Sequence, residues 1–195
     1  MKKMISMMLC ASMLFAMASC SAAEETKSSR EDRDEEVTEE SKETDSDFHP
    51  EFTFRAKDRD MNRYDESILE GKLTMINFWE PWCGPCVGEM GDIERLYENY
   101  KDRDFQVIGI YSERNMEDEV DEVLDANNIQ FLILKYTEDF DIFMSGYVPT
   151  TVFVDADGHV LTLPDGSRSA VGPQDYDTWA GIVEGFLDQA SDEEV

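Results

Sequence analysis

The sequence predicts an α/β fold, a central mixed β-sheet flanked by helices. Apolar runs of strand length recur at Leu73–Trp79, Phe105–Tyr111 and Ile129–Leu134. Segments with apolar residues at helical spacing separate them. Two more strand-like runs, Thr150–Asp155 and His159–Leu163, are joined by Ala156-Asp157-Gly158, a hairpin signal. Strands alternating with helices imply a sheet with helices on both faces. The closing hairpin makes that sheet mixed.

The elements follow in order. Glu51–Arg55 and Met61–Tyr64 read as an N-terminal β-hairpin, and Asp65–Leu69 as a brief helical turn. Leu73–Trp79 is a central strand. A helix runs from Cys83 to about Tyr100, with Met90, Ile93, Leu96, Tyr97 and Tyr100 on one face. Phe105–Tyr111 is the next buried strand. Asn115 is expected to cap a helix, with Asp118 in its first turn and Met116, Val120, Val123 and Leu124 as its apolar stripe. Asn127-Asn128 ends that helix, Ile129–Leu134 is a third strand, and Glu138–Met144 is a short helix. Asp175 caps a last helix carrying Tyr176, Trp179, Val183, Phe186 and Leu187. Phe131, Phe140 and Phe143 belong to the core. No internal repeat is evident.

Composition divides the chain before the fold begins. Lys2 and Lys3 precede an apolar, Met-rich run from Met4 to Ala18, so residues 1–19 read as an export signal. The run is short for a membrane span. Its end, Met17-Ala18-Ser19-Cys20, resembles a bacterial lipobox, in which the cysteine becomes the lipidated first residue; Met17 stands where Leu is usual. Cleavage after Ala18 and release is the rival reading. Residues 20–47 are expected to form a disordered acidic tether. From Ser21 to Asp47 there are twelve acidic and four basic residues, and too little apolar surface to bury. As a flexible coil it would span ~30 Å. Residues 48–190 form one domain, and 191–195 an acidic tail. The net charge of −28 disfavours nucleic acid, whose phosphates need Lys and Arg.

Trp82-Cys83-Gly84-Pro85-Cys86 carries the chemistry. A C-x-x-C that follows a strand and opens a helix puts a thiol at the positive end of the helix dipole, where unpaired N–H groups favour the thiolate. The thiolate is the species that attacks disulfides. Once the signal is removed and Cys20 acylated, Cys83 and Cys86 are the only cysteines left. Their loop constrains little chain, so a bridge there adds little stability. That economy points to chemistry. Zinc would need four ligands, and no second cysteine pair exists. A copper chaperone of this kind would favour C-x-x-x-C. A peroxidase would want Thr or Ser where Glu80 stands. No metal and no cofactor are expected. Trp82 is either packing over the helix start or lining a substrate groove.

Phe78-Trp79-x-x-Trp82-Cys83-Gly84-Pro85-Cys86, together with Tyr147-Val148-Pro149-Thr150-Thr151 and a β-hairpin, resembles a thioredoxin fold. More narrowly, it resembles the TlpA/ResA group of membrane-tethered thiol-disulfide oxidoreductases, over nearly all of Phe48–Gln189. The N-terminal hairpin and the extra strand and helix between Ser112 and Leu134 fit that group's βα insertion. The resemblance implies that Cys83 is the nucleophile and Cys86 the resolving thiol. It makes Pro149 a cis-proline beside the disulfide, leaving Val148 as an edge for a substrate strand. Cytosolic thioredoxins bury an Asp where this chain has Asn77. The group tends to carry Asn there and Glu at position 89, so Glu89 is the candidate to tune or relay the proton of Cys86. Gly91 departs from the Pro often found in the group.

The function implied is protein disulfide reduction outside the cytoplasm by a lipid-anchored protein of the cell envelope. Apocytochrome c or oxidised secreted proteins are candidate substrates, and a membrane thiol donor returns the electrons. An oxidase or isomerase, and a binding module without turnover, are the alternatives.

Overall fold

A computed structural model describes residues 49–112 and 114–193. The signal-like segment, Cys20, the acidic stretch to residue 47 and Phe48 lie outside the described residues. The described residues all belong to one compact unit.

Two short strands come first, β1 (Arg55–Asp58) and β2 (Arg63–Asp65), then a 3-10 turn at Glu66–Leu69. Asp65 caps that turn, its side chain accepting from Ser67 N–H. Strand β3 (Leu73–Phe78) leads into helix α1 (Gly84–Tyr100), and β4 (Phe105–Tyr111) into α2 (Glu117–Asn127). Strand β5 (Leu132–Lys135), a second 3-10 segment (Glu138–Phe143), β6 (Thr150–Val154), β7 (Ala170–Val171) and α3 (Tyr176–Glu193) complete the domain. The seven strands lie in the order β2-β1-β5-β4-β3-β6-β7. Strands β3, β4 and β5 are mutually parallel, with Ile76 opposite Ile108 and Ile110 opposite Leu134. The outer pairings are antiparallel, so the sheet is mixed.

Side chains alternate across the sheet, and each face has its own core. Leu73, Met75, Phe105, Val107 and Phe153 point to one face. There they meet Met90, Ile93 and Leu96 of α1, Val120 of α2, and Trp179 and Val183 of α3. Ile76, Phe78, Ile108, Ile110, Val152 and Val154 point to the other. That face is covered by 3-10 turns, through Leu69 and Phe140, and by Phe52 and Phe54. The phenylalanines interlock, Phe52 edge-on against Phe143 at 4.7 Å and Phe54 tilted against Phe140 at 5.0 Å between ring centroids.

Four expectations shift. The first strand begins at Arg55 rather than Glu51, because Phe52 and Phe54 are spent on covering the second face. Met116, not Asn115, occupies the N-cap of α2, and no side chain closes that cap. The third strand starts at Leu132 rather than Ile129. Asn128 turns left-handed (φ 51°) to end α2, and Gln130 N–H donates to Glu94. His159–Leu163 is not a full strand. Val160 bridges Val154 and Leu161 N–H reaches Phe153 C=O, but the chain then turns away at Leu163–Gly166. The partner of Thr150 and Thr151 is β7 instead. Pro164-Asp165-Gly166 makes that turn, with φ +85° at the glycine.

Gly109 lies in the tightest part of the core. A Cβ there would sit 2.7 Å from Ile133 Cδ1, 3.2 Å from Phe131 Cε2 and 3.3 Å from Trp79 Nε1. Gly109→Ala should destabilise the domain by about 1–3 kcal/mol, read as a fall in denaturant midpoint; an unchanged midpoint would mean this layer is looser than its geometry.

Candidate active site

The three parallel strands end at one pole of the sheet, and the dithiol sits there. Trp79 N–H donates to Ile110 C=O, extending the β3–β4 pairing by one step. The chain then turns over Glu80-Pro81-Trp82-Cys83, closed by Cys83 N–H to Glu80 C=O at 3.0 Å. Cys83 is the N-cap of α1 in an extended conformation. Pro85 falls in the first turn, where a missing N–H costs nothing. Cys83 and Cys86 form a disulfide with Cα atoms 5.2 Å apart, and Cys86 N–H donates to Cys83 Sγ at 3.2 Å. Cys86 is fully buried, whereas Cys83 keeps 6% exposure, so the outer sulfur is the one a substrate can approach.

The other expected residues meet at this pole. Cys83 Sγ lies 3.6 Å from the Val148 carbonyl oxygen, and the Val148–Pro149 peptide is cis. Val148 is half-buried and Pro149 buried. Trp82 is 59% exposed beside the sulfur, and Tyr147, which sequence reasoning did not single out, is 71% exposed. Two large aromatic faces thus stand open around a nearly closed disulfide.

Glu89 is buried at 3% exposure beneath it. One carboxylate oxygen accepts from Asn77 Nδ2 at 3.1 Å, the other from Gln174 N–H at 3.1 Å. Asn77 also donates to Thr151 Oγ1 at 2.9 Å. Burial pushes the Glu89 carboxyl up to about 7, against the pull of the Gln174 and Asn77 hydrogen bonds. The Trp179 indole N–H, buried without a full hydrogen bond, adds a weaker pull of the same sign. Glu89 lies one helical turn beyond Cys86, on the same side of α1. The Gln174 contribution had no sequence signal, since it comes from the backbone and any residue could supply it.

A second carboxylate, Glu80, is also buried. It accepts from Ser112 N–H at 2.8 Å and from the Ser112 hydroxyl. This ties the turn that carries Cys83 to the loop leading into α2. In the sequence Glu80 stood out only as the residue where a peroxidase would carry a hydroxyl.

Among the described residues, Asp155, Asp157 and His159 are the group whose ligand atoms come within 4.8 Å of one another. They lie in the turn after β6, at the other pole from the dithiol. Asp155 Oδ1 there accepts the N–H groups of Asp157 and His159, which closes the turn.

Residues 47–162 match the AhpC/TSA family. The chain belongs to that family. Within it, the chain is 32% identical over 114 residues to thiol-disulfide oxidoreductase ResA of Oceanobacillus iheyensis, covering 57% of this chain and 59% of that protein. The ResA protein of Bacillus cereus is 28% identical over 110 residues, 55% of this chain and 63% of the relative. The match thus spans about three fifths of the length of these curated relatives. A crystal structure of a thiol:disulfide interchange protein of the thioredoxin family, from Chlorobium tepidum, superposes with a TM-score of 0.61 at 24% identity. It covers 73% of this chain and 99% of that one. The fold of this AhpC/TSA-family domain is therefore the thioredoxin fold.

The raised Glu89 carboxyl has a consequence for stability. Its folded pKa of about 7 exceeds the ordinary 4.5, so the folded state holds the proton more tightly than the unfolded one. The resulting stabilisation is complete below pH 4.5 and is lost as pH rises to 7. Relative to Glu89→Gln, the wild type should therefore lose on the order of 2–3 kcal/mol across that window, measured by denaturant unfolding of both proteins at each end. Parallel curves would remove Glu89 as a titrating group.

Proposed function

We propose that this protein is an extracytoplasmic thiol-disulfide oxidoreductase working as a protein disulfide reductase. The observation that carries the reading is the Cys83–Cys86 disulfide at the N-terminus of α1, with its outer sulfur against the Val148–Pro149 backbone. Two cysteines already at bonding distance in a folded domain can open and close without refolding.

In the reduced state the Cys83 thiolate attacks one sulfur of a substrate disulfide. A Cys83–substrate bond forms, and the other substrate sulfur leaves as a thiolate. The Cys86 thiolate then attacks Cys83 Sγ, closing the Cys83–Cys86 bond and releasing the second substrate thiolate. Two electrons pass from the dithiol to the substrate. Cys86 has no route to solvent of its own, so its proton needs an internal acceptor. Glu89, with a carboxyl near 7 beneath the helix start, fits that task. Val148 and Trp82 offer the substrate a backbone edge and an apolar face, and Pro149 shapes that edge.

The direction of electron flow rests on the residues between the cysteines. Gly84-Pro85 is the dipeptide of reducing thioredoxins, whose potentials lie near ~−270 mV, against ~−120 mV for strong oxidants of the same fold. Support for the reading also comes from the two ResA relatives, whose names describe thiol-disulfide oxidoreductases. Glu80, which takes the place where a peroxidase would set a hydroxyl, offers only acceptor oxygens to Ser112. The lipid anchor at Cys20, the tether, a membrane thiol donor and protein substrates such as apocytochrome c or secreted proteins complete the proposal. No helix among the described residues is long and apolar enough to cross a membrane, and the anchor in this scheme is the lipid.

Cys83→Ser should abolish insulin reduction, while Cys86→Ser should accumulate a mixed disulfide that gel shift reveals and dithiothreitol dissolves. Full activity in Cys83→Ser would refute the scheme. Equilibration with glutathione or dithiothreitol buffers should give a potential at or below about −250 mV; a value near about −120 mV would make the protein an oxidant.

A further inference from the structure

Five segments of chain reach the pole that holds the dithiol. The turn 79–83 carries Cys83. The loop at Ser112 is bonded to Glu80. Residues 136–149 follow β5 and run to the Val148 carbonyl beside the sulfur. Residues 172–177 hold Gln174 against Glu89. Helix α2 starts here too, because β4 ends here.

Charge on these segments is one-sided. The start of α2 contributes three carboxylates at 117–119. The 3-10 segment adds Glu138, Asp139 and Asp141, and the start of α3 adds two more. Against them, Arg114 is the single cationic side chain among the described residues of these segments. Its guanidinium is turned to the Tyr136 carbonyl oxygen. Glu117 is neutralised by Lys135 and Arg59, but Asp118, Glu119, Glu138, Asp139 and Asp141 are exposed. Beside the sulfur, on the segments that carry these charges, stand the exposed aromatic side chains of Trp82 and Tyr147, neighbours in sequence of Cys83 and Val148. An apolar centre with a charged rim is the anatomy of a recognition surface.

We propose that the dithiol face is a docking surface for extended cationic polypeptide, namely cysteine-bearing segments flanked by Lys or Arg. This deepens the thiol-disulfide reading above and rests on it. Apolar residues next to the substrate cysteine settle on Trp82 and Tyr147. Lysine or arginine two or more residues away reaches the acidic rim at Asp118 and Glu138. The charge acts chiefly on encounter, where a field of one sign raises the association rate for the opposite sign and repels its own. Acidic partners are excluded by the same field.

The test uses the full chain, reduced and freed of reductant, in single-turnover reduction of two disulfide peptides. They are identical except that two Lys or two Glu flank the cysteines. At an ionic strength of about 10 mM, where charges act over roughly 30 Å, the lysine peptide should react at least about tenfold faster. The gap should shrink below about threefold near 1 M salt, where the range is roughly 3 Å. The double variant Asp118→Lys, Glu138→Lys should shrink it at low salt by slowing the lysine peptide. Equal rates for the two peptides at low salt, or a gap that neither salt nor the variant moves, would overturn the proposal and leave the redox reading standing. Failure to reduce either peptide would overturn the redox reading itself.

Discussion

The parallel pairing of β3 with β4 is the constraint from which the site follows. Parallel neighbours cannot be joined by a hairpin, so the chain must cross over through a helix. That helix, α1, has to start at the end where β3 stops, with its N-terminal N–H groups facing the same way as the strand ends. Cys83 is the residue at that junction. The antiparallel strand β6 on the other side of β3 begins at the same pole, with Thr150 opposite Phe78. Val148 and Pro149 are thereby delivered to the sulfur without further adjustment. Strand direction alone brings together three segments separated by up to 65 residues of sequence.

Two buried carboxylates bracket this junction and do different work. Glu80 is engaged by Ser112 and ties the cysteine turn to the neighbouring loop. Glu89 is held by Asn77 and by the backbone at Gln174, in surroundings that favour its protonated form. One group acts as a strut. The other sits with its proton in balance near neutrality.

Much of this was legible in the sequence because the central strands are apolar on both sides. Phe105–Tyr111 has the bounds its composition suggests, and the order of elements through β6 is as read. The C-x-x-C and the Val148-Pro149 pair meet at the dithiol, as the resemblance implied. Legibility failed where side chains answer to tertiary demands. Phe52 and Phe54 look like strand residues, yet they roof the second core. Asn115 looks like a cap, and the helix starts one residue later. The run His159–Leu163 alternates well, but Pro164-Asp165-Gly166 turns the chain out before a strand can form. Glu80 and Gln174 act through loop contacts, which have no periodicity to betray them.

The entry of the chain into the domain has a positional consequence. Glu51 N–H donates to Gly158 C=O, and the Glu51 carboxylate takes Val160 N–H and a two-pronged contact from Arg168. These partners lie beyond the far end of β6, where Ala156 C=O also receives Gly71 N–H. The polypeptide is therefore clamped at the pole opposite the dithiol. From that clamp the chain runs over the second face, through Phe52 and Phe54, to β1. The entry at Glu51 and the sulfur pair thus stand at opposite ends of the sheet.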